Sequence, residues 1–226
     1  MMWKPQSVPV WAACLLCVAP SSATGQLATP TDWRWITDQP ASVISGLEPG
    51  DSQWTFVTMP PGWHITTGPG AVLFNPDFRA LGRYSVEAEV FLFPGASQEE
   101  YGVLVGGTEL EGPRPSYVGF VVRRDGSAAI LGRKGDDSRL LIPWSRAEAV
   151  ATGTESGEPV RNVLRVDVGP ATAVFRVNGT EVGSVPRASG DFEGGFGFRV
   201  GGMMNLHVSS LDLTQHLAMP RRSGAP

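Results

Sequence analysis

Residues 83–93 (RYSVEAEVFLF) alternate without a break, with Tyr84, Val86, Ala88, Val90 and Leu92 on one side and Ser85, Glu87, Glu89, Phe91 and Phe93 on the other. A period of two predicts a half-buried strand. Residues 117–124 (YVGFVVRR) and 127–131 (SAAIL) flank Asp125-Gly126, which predicts a hairpin closed by a type I′ turn. Residues 172–177 and 180–185 around Asn178-Gly179 repeat the device. Further strands are expected over 52–59, 63–66, 71–74, 140–144, 162–168, 195–200 and 205–213. Turn signals recur about every 8–12 residues, the rhythm of an all-β sandwich or barrel. The one helical candidate, 145–152 (SRAEAVAT), has a serine at its cap position and room for two turns.

The 28 glycines and 19 prolines among 226 residues now read as punctuation between short strands. Residues 1–23 predict a secretory signal: Lys4 gives a positive start, 8–18 an apolar stretch, and Ser21-Ser22-Ala23 a small-residue cleavage site. The apolar stretch is short for a membrane span, which takes about 20 residues, and prolines crowd it. Cleavage would remove Cys14 and Cys17, the only cysteines, and with them any disulfide or thiolate chemistry. Trp11 before Cys14 and Leu15-Leu16 before Cys17 argue against a lipid-anchored cysteine. The expected location is secreted or periplasmic. Residues 24–51 are expected to lead into a single sandwich domain over 52–213, with 214–226 as a tail. The net charge of −4 and the lack of a basic block exclude a nucleic-acid partner.

The order of Gly82-Arg83-Tyr84 before the alternating strand, Tyr101-Gly102-Val103, the 117–124 strand with its Asp-Gly turn, residues 162–166 (NVLRV), Val177-Asn178-Gly179 and residues 194–198 (GGFGF) resembles the concanavalin A-like lectin/glucanase superfamily. It is similar in particular to laminin-G-like and 3-keto-disaccharide-hydrolase-like domains of secreted bacterial proteins. The resemblance implies an antiparallel jelly-roll β-sandwich whose members often bind sugars on a concave face. Its motifs mark a strand framework, and fold alone does not give function.

G-x-S-x-G, H-E-x-x-H and a Walker lysine loop are all missing. The glucanases of that superfamily carry E-x-D-x-E or E-x-D-x-x-E, and only Glu87-Ala88-Glu89 comes near. Carboxylates two residues apart on a strand share a face at about 7 Å, a spacing that glycosidase chemistry permits. Strand parity sets His207 and Arg199 outward, and likewise Tyr117 and Arg123. Together with Glu87 and Glu89 they would form one outward patch suited to a hydroxylated ligand, with Trp63, in its loop-flanked setting, as a stacking surface. Trp33 and Trp35 share a strand face, as in a stacking platform or a core. His64, His207 and His216 stand too far apart for a local metal motif. No cofactor is expected other than calcium as an alternative: Asp136-Asp137 at the Gly135 turn offer oxygens, though fewer than the six to eight that calcium takes. Asn178-Gly179-Thr180 matches a glycosylation sequon, which the turn already explains.

The expected function is a secreted, non-catalytic sandwich that binds a polysaccharide or glycan through one sheet face. One alternative is a glycosidase-type enzyme using Glu87 and Glu89. The other is a structural or adhesion module with a protein partner.

Overall fold

The computed structural model describes residues 28–38 and 54–217; residues 1–27 with the predicted signal segment, residues 39–53 and residues 218–226 lie outside them. Among the described residues fourteen strands, numbered in chain order, build two antiparallel sheets of seven. Sheet A runs β1 (Arg34–Thr37), β4 (Ala71–Ala80), β13 (Gly194–Val200), β6 (Glu100–Thr108), β7 (Ser116–Arg123), β8 (Ser127–Lys134), β9 (Asp137–Arg146). Sheet B runs β12 (Thr180–Pro186), β11 (Thr172–Val177), β10 (Val160–Val168), β5 (Arg83–Leu92), β14 (Asn205–His216), β3 (Trp63–Thr66), β2 (Thr55–Thr58). Among the described residues the only helical element is a 3₁₀ turn, Arg187–Ser189, and no helix is long and apolar enough to cross a membrane. The segment expected to lead into the domain supplies β1, which pairs with β4, and β14 continues past Leu213 to His216.

The alternation of β5 works as read: Tyr84, Val86, Ala88, Val90 and Leu92 are all buried between the sheets. From sheet A, Val118, Phe120 and Val122 of β7 and Phe196, Phe198 and Val200 of β13 meet them in one continuous core. Aromatic contacts join the layers, Phe120 of β7 lying 5.4 Å from Phe175 of β11. A polar staple also crosses the core. Asn162, fully buried on β10, donates to the Tyr101 hydroxyl on β6 at 3.0 Å and accepts from the Ala151 amide at 2.9 Å and from Asn178 at 3.0 Å. Burial pushes the Tyr101 hydroxyl up to about 12, although the Asn162 bond opposes the shift.

The two hairpin turns differ. At Asn178-Gly179 both residues have positive φ, 50° and 83°, as type I′ requires, and Asn178 Oδ1 accepts from the Val163 amide at 2.8 Å. The sequon asparagine is thus committed to tying its turn to β10 and to the loop at Ala149. At Asp125-Gly126 only Gly126 is left-handed, with φ 90°. Arg124, Asp125 and Gly126 make a three-residue loop closed by Gly126 N–H to Arg123 C=O at 3.1 Å, so the type I′ expectation is corrected there. The reason is local: Asp125 turns its carboxylate forward onto the Ser127 amide and hydroxyl, 2.9 and 2.6 Å away. Residues 145–152 are not helical; β9 extends to Arg146 and Val150 N–H closes a turn onto Ala147 C=O.

Candidate functional site

The outward residues anticipated as one patch are divided between the two sheets. Glu87, Glu89 and His207 lie on sheet B, whereas Tyr117, Arg123 and Arg199 lie on sheet A. Their parity was read correctly, but parity along a strand carries no record of the sheet that the strand joins. The core therefore separates the two groups, and no single groove holds them.

On the outer face of sheet B, Glu87 and Glu89 are tied to arginines of the neighbouring strand. Glu89 accepts from Arg161 Nε and from Ser209 Oγ, both at 2.6 Å, and Glu87 pairs with Arg165 at 3.3 Å. Arg165 continues to Asp167 at 2.7 Å, and Asp167 to Arg176 at 3.2 Å. The Ser209 hydrogen bond and Arg161 hold the Glu89 carboxyl below its ordinary value. A glycosidase's general acid needs the opposite shift, so these surroundings do not support Glu89 as that acid. Burial pushes the Asp167 carboxyl up, but hydrogen bonds from Ser85, Arg165 and Arg176 outweigh it and leave it below the usual 3.8. A depressed carboxylate stabilises the fold above its unfolded value, and that contribution is lost as pH falls through the folded value. Stability should therefore drop on acidification below about pH 4. Asp167→Asn should flatten that slope in thermal melts, and an unchanged slope would remove Asp167 as its source.

His207 stands directly across from His64, with ring centroids 6.4 Å apart and Phe91 and Phe93 as neighbours. Burial, and then the His207 charge, lower the pKa of His64. His216 is hydrogen-bonded to Ser85 at 3.0 Å. Among the described residues no three His, Cys, Asp or Glu side chains group as a metal site, Asp136 and Asp137 included. Trp63 points into the sandwich and packs 5.0 Å from Trp33 and 6.0 Å from Phe198. That corrects its expected role as a ligand platform: Trp63 shares the inward parity of buried Ile65, so its ring completes the core. Trp33 and Trp35 do share a face, since both touch Phe56; Trp33 is buried, and Trp35 stacks on Trp54 at the margin.

The outer face of sheet A is of a different kind. Arg199, between the core residues Phe198 and Val200, turns outward and is clasped by Asp38 at 2.6 Å and Glu100 at 3.2 Å. Burial works against its charge, but the Asp38 and Glu100 carboxylates outweigh this and raise its pKa. Arg123 follows across the strands, opposite Glu100, with its guanidinium 3.8 Å over the Trp144 ring. Tyr117 also faces outward, yet it is buried, because Leu110 from the loop after β6 folds onto Val72, Phe74, Leu104 and Tyr117 as a second small apolar cluster. A cleft of about 310 Å³ borders that loop along Phe74, Arg79, Glu109 and Gly195. Another of about 450 Å³ opens at the end of the sandwich, lined by Ser116, Tyr117, Arg133, Lys134, Arg139 and Asp191. Both fall in the range of small-ligand sites.

Sequence reasoning missed Asp38, Glu100 and Trp144. Glu100 had a readable signal, since it continues the outward parity of Gly102 and Leu104 on β6. Asp38 had none, because only the docking of β1 beside β4 and β13 brings it to Arg199.

No protein-family model matches the sequence, and no curated protein is significantly similar to it. Solved structures do match in shape. The carbohydrate binding module CBM66 from Bacillus subtilis aligns with a TM-score of 0.55 at 9% identity, over 79% of this chain and 94% of that one. An endo-β-1,3-glucanase from Pyrococcus furiosus aligns with 0.55 at 11% identity, over 84% and 90%. A GH16 protein of a Bacteroides ovatus mixed linkage glucan locus aligns with 0.54 at 10% identity, over 83% and 97%. At these identities the likeness establishes the fold.

Proposed function

Because this chain folds as a concanavalin A-like jelly roll, we propose that it is an exported, non-catalytic domain that binds carbohydrate through the outer face of sheet A. The observation that carries this reading is the arrangement of Arg123 on Trp144, with the Arg199 clasp on that face and the end cleft bordering it. Charged groups held in fixed positions donate and accept hydrogen bonds to sugar hydroxyls, and aromatic faces suit the apolar side of a sugar ring. The similar solved structures, one a carbohydrate binding module and two glucan-related proteins, support sugar as the ligand class. Export rests on the pattern of residues 1–23. The non-catalytic part rests on the carboxylates: Glu87 and Glu89 are held by arginines, and Asp38 and Glu100 are both held by Arg199.

The test is retention of the purified protein in gels cast with neutral and acidic polysaccharides. Wild type should be retarded by at least one of them. Trp144→Ala should lose most of that retardation, whereas Glu87→Gln/Glu89→Gln should keep it. Wild-type migration unaffected by every polysaccharide would sink the proposal, and loss in the glutamate variant alone would move binding to sheet B.

A further inference from the structure

Arg123 is a cation with no carboxylate at ion-pair distance among the described residues; Asp125 of the adjoining turn feels its charge but gives its carboxylate to Ser127. Glu100 lies directly across from Arg123 on β6, but that carboxylate accepts from Arg199 Nη2 and Nε at 3.2 and 3.3 Å. Arg123 therefore makes no ion pair among the described residues, and its Nε is buried without a hydrogen-bond partner. A buried N–H without an acceptor is a standing cost, and the remaining N–H groups of the guanidinium are the ones that a ligand oxygen meets. Stacking on Trp144 fixes the plane of the guanidinium, so its fork is set before any ligand arrives.

Arg133 repeats the situation further along. It lies outward on β8 opposite Tyr117, borders the end cleft, and bonds only the Gly135 carbonyl at 3.1 Å. It too has no ion pair among the described residues. Its register partner lies six residues from Arg123 along β7, which sets the two backbone positions roughly 20 Å apart along the strand on one face.

Resting on the carbohydrate reading of this face, we propose that the ligand is an acidic polysaccharide whose anionic groups are received by Arg123 and, further along the polymer, by Arg133. A guanidinium fork matches a carboxylate or sulfate through two parallel hydrogen bonds, a match that neutral hydroxyls do not offer. Two such forks on one face favour a polymer over a single acidic sugar, because the second contact forms at high effective concentration. The chain's overall negative charge does not forbid this, since distant charges are screened beyond about 8 Å at physiological salt.

The experiment titrates the full chain calorimetrically with polygalacturonate, its methyl ester, a sulfated galactan and a neutral β-glucan. Polygalacturonate or the sulfated galactan should bind at least tenfold more tightly than the neutral polymers, and the preference should weaken as salt is raised. Preference for polygalacturonate over its own ester assigns a carboxylate, and preference for the galactan assigns a sulfate. Arg123→Gln and Arg133→Gln should each reduce the preference and together abolish it, with Arg123→Lys retaining part. Thermal melts confirm that each variant is folded, and the ester comparison needs no variant at all. Equal affinity for acidic and neutral polymers overturns this inference and leaves carbohydrate binding standing; no binding to any polymer overturns both.

Discussion

Phe198→Ala should lower the stability of the sandwich by about 4 kcal/mol, the range for truncating a buried phenylalanine. Phe198 is 1% exposed, stacks flat on Trp33 at 5.3 Å and touches Trp63 at 6.0 Å, so truncation opens a cavity where β1, β3 and β13 meet. Trp33 and Trp63 are too large and too constrained by one another to collapse into that space. For a chain of this size, about 4 kcal/mol corresponds to a midpoint some 8–16 °C lower. Urea melts should show a reduced midpoint with the slope preserved, since the same surface is exposed on unfolding. Phe198→Leu, which refills most of the volume, should cost about 1.5 kcal/mol. A loss below 1 kcal/mol for the alanine variant would mean that the cluster is not the centre of the core.

Arg124→Met should come next, at about 3 kcal/mol, from three backbone carbonyls each losing a donor. Arg124 is 3% exposed, and no carboxylate answers it among the described residues. Its guanidinium donates instead to Phe93 C=O at 2.8 Å, Ser97 C=O at 3.2 Å and Thr154 C=O at 3.0 Å. It thereby pins the connection between β5 and β6 to the one between β9 and β10. Methionine keeps the apolar stem but donates nothing. Lysine keeps the charge, but a compact ammonium does not match three carbonyls arranged around a planar fork. Both variants should show faster amide exchange in residues 93–99 and 151–155 while the strands stay protected. Uniform protection across those loops would show that Arg124 does not hold them.

Arg124 also shows where the sequence stops being legible. Read as the last residue of a strand, it sits beside Arg123 and looks equivalent to it. One residue of offset sends Arg123 outward onto Trp144 and Arg124 inward among carbonyls. Alternation correctly sorted β5, β7 and β13 into inner and outer faces, because burial of one face enforces a period of two. It failed to pair the outward residues with one another, since β5 and β14 belong to sheet B while β6, β7 and β13 belong to sheet A. Tyr117 and Trp63 illustrate the two resulting errors. Tyr117 faces outward as expected, but a loop side chain ten or fewer positions away in sequence covers it. Trp63, beside a proline-rich loop, faces inward. The pairing of Asp38 with Arg199 spans nearly the whole domain and leaves no local trace.

That same pairing means that the outer face of sheet A is assembled from both ends of the fold. β1 is a four-residue edge strand bonded to β4 alone within its sheet, and it brings Trp33 to the core and Asp38 to the surface. Trp33 anchors the start of this strand in the core, whereas its far end at Thr37 and Asp38 lies at the sheet edge and is the part that opens first. When that end peels away, Arg199 loses one of its two carboxylates, and the balance of charge on the face shifts by one unit towards positive. On the reading proposed above, the affinity of this face for anions would therefore be coupled to the docking of a strand remote from it in sequence.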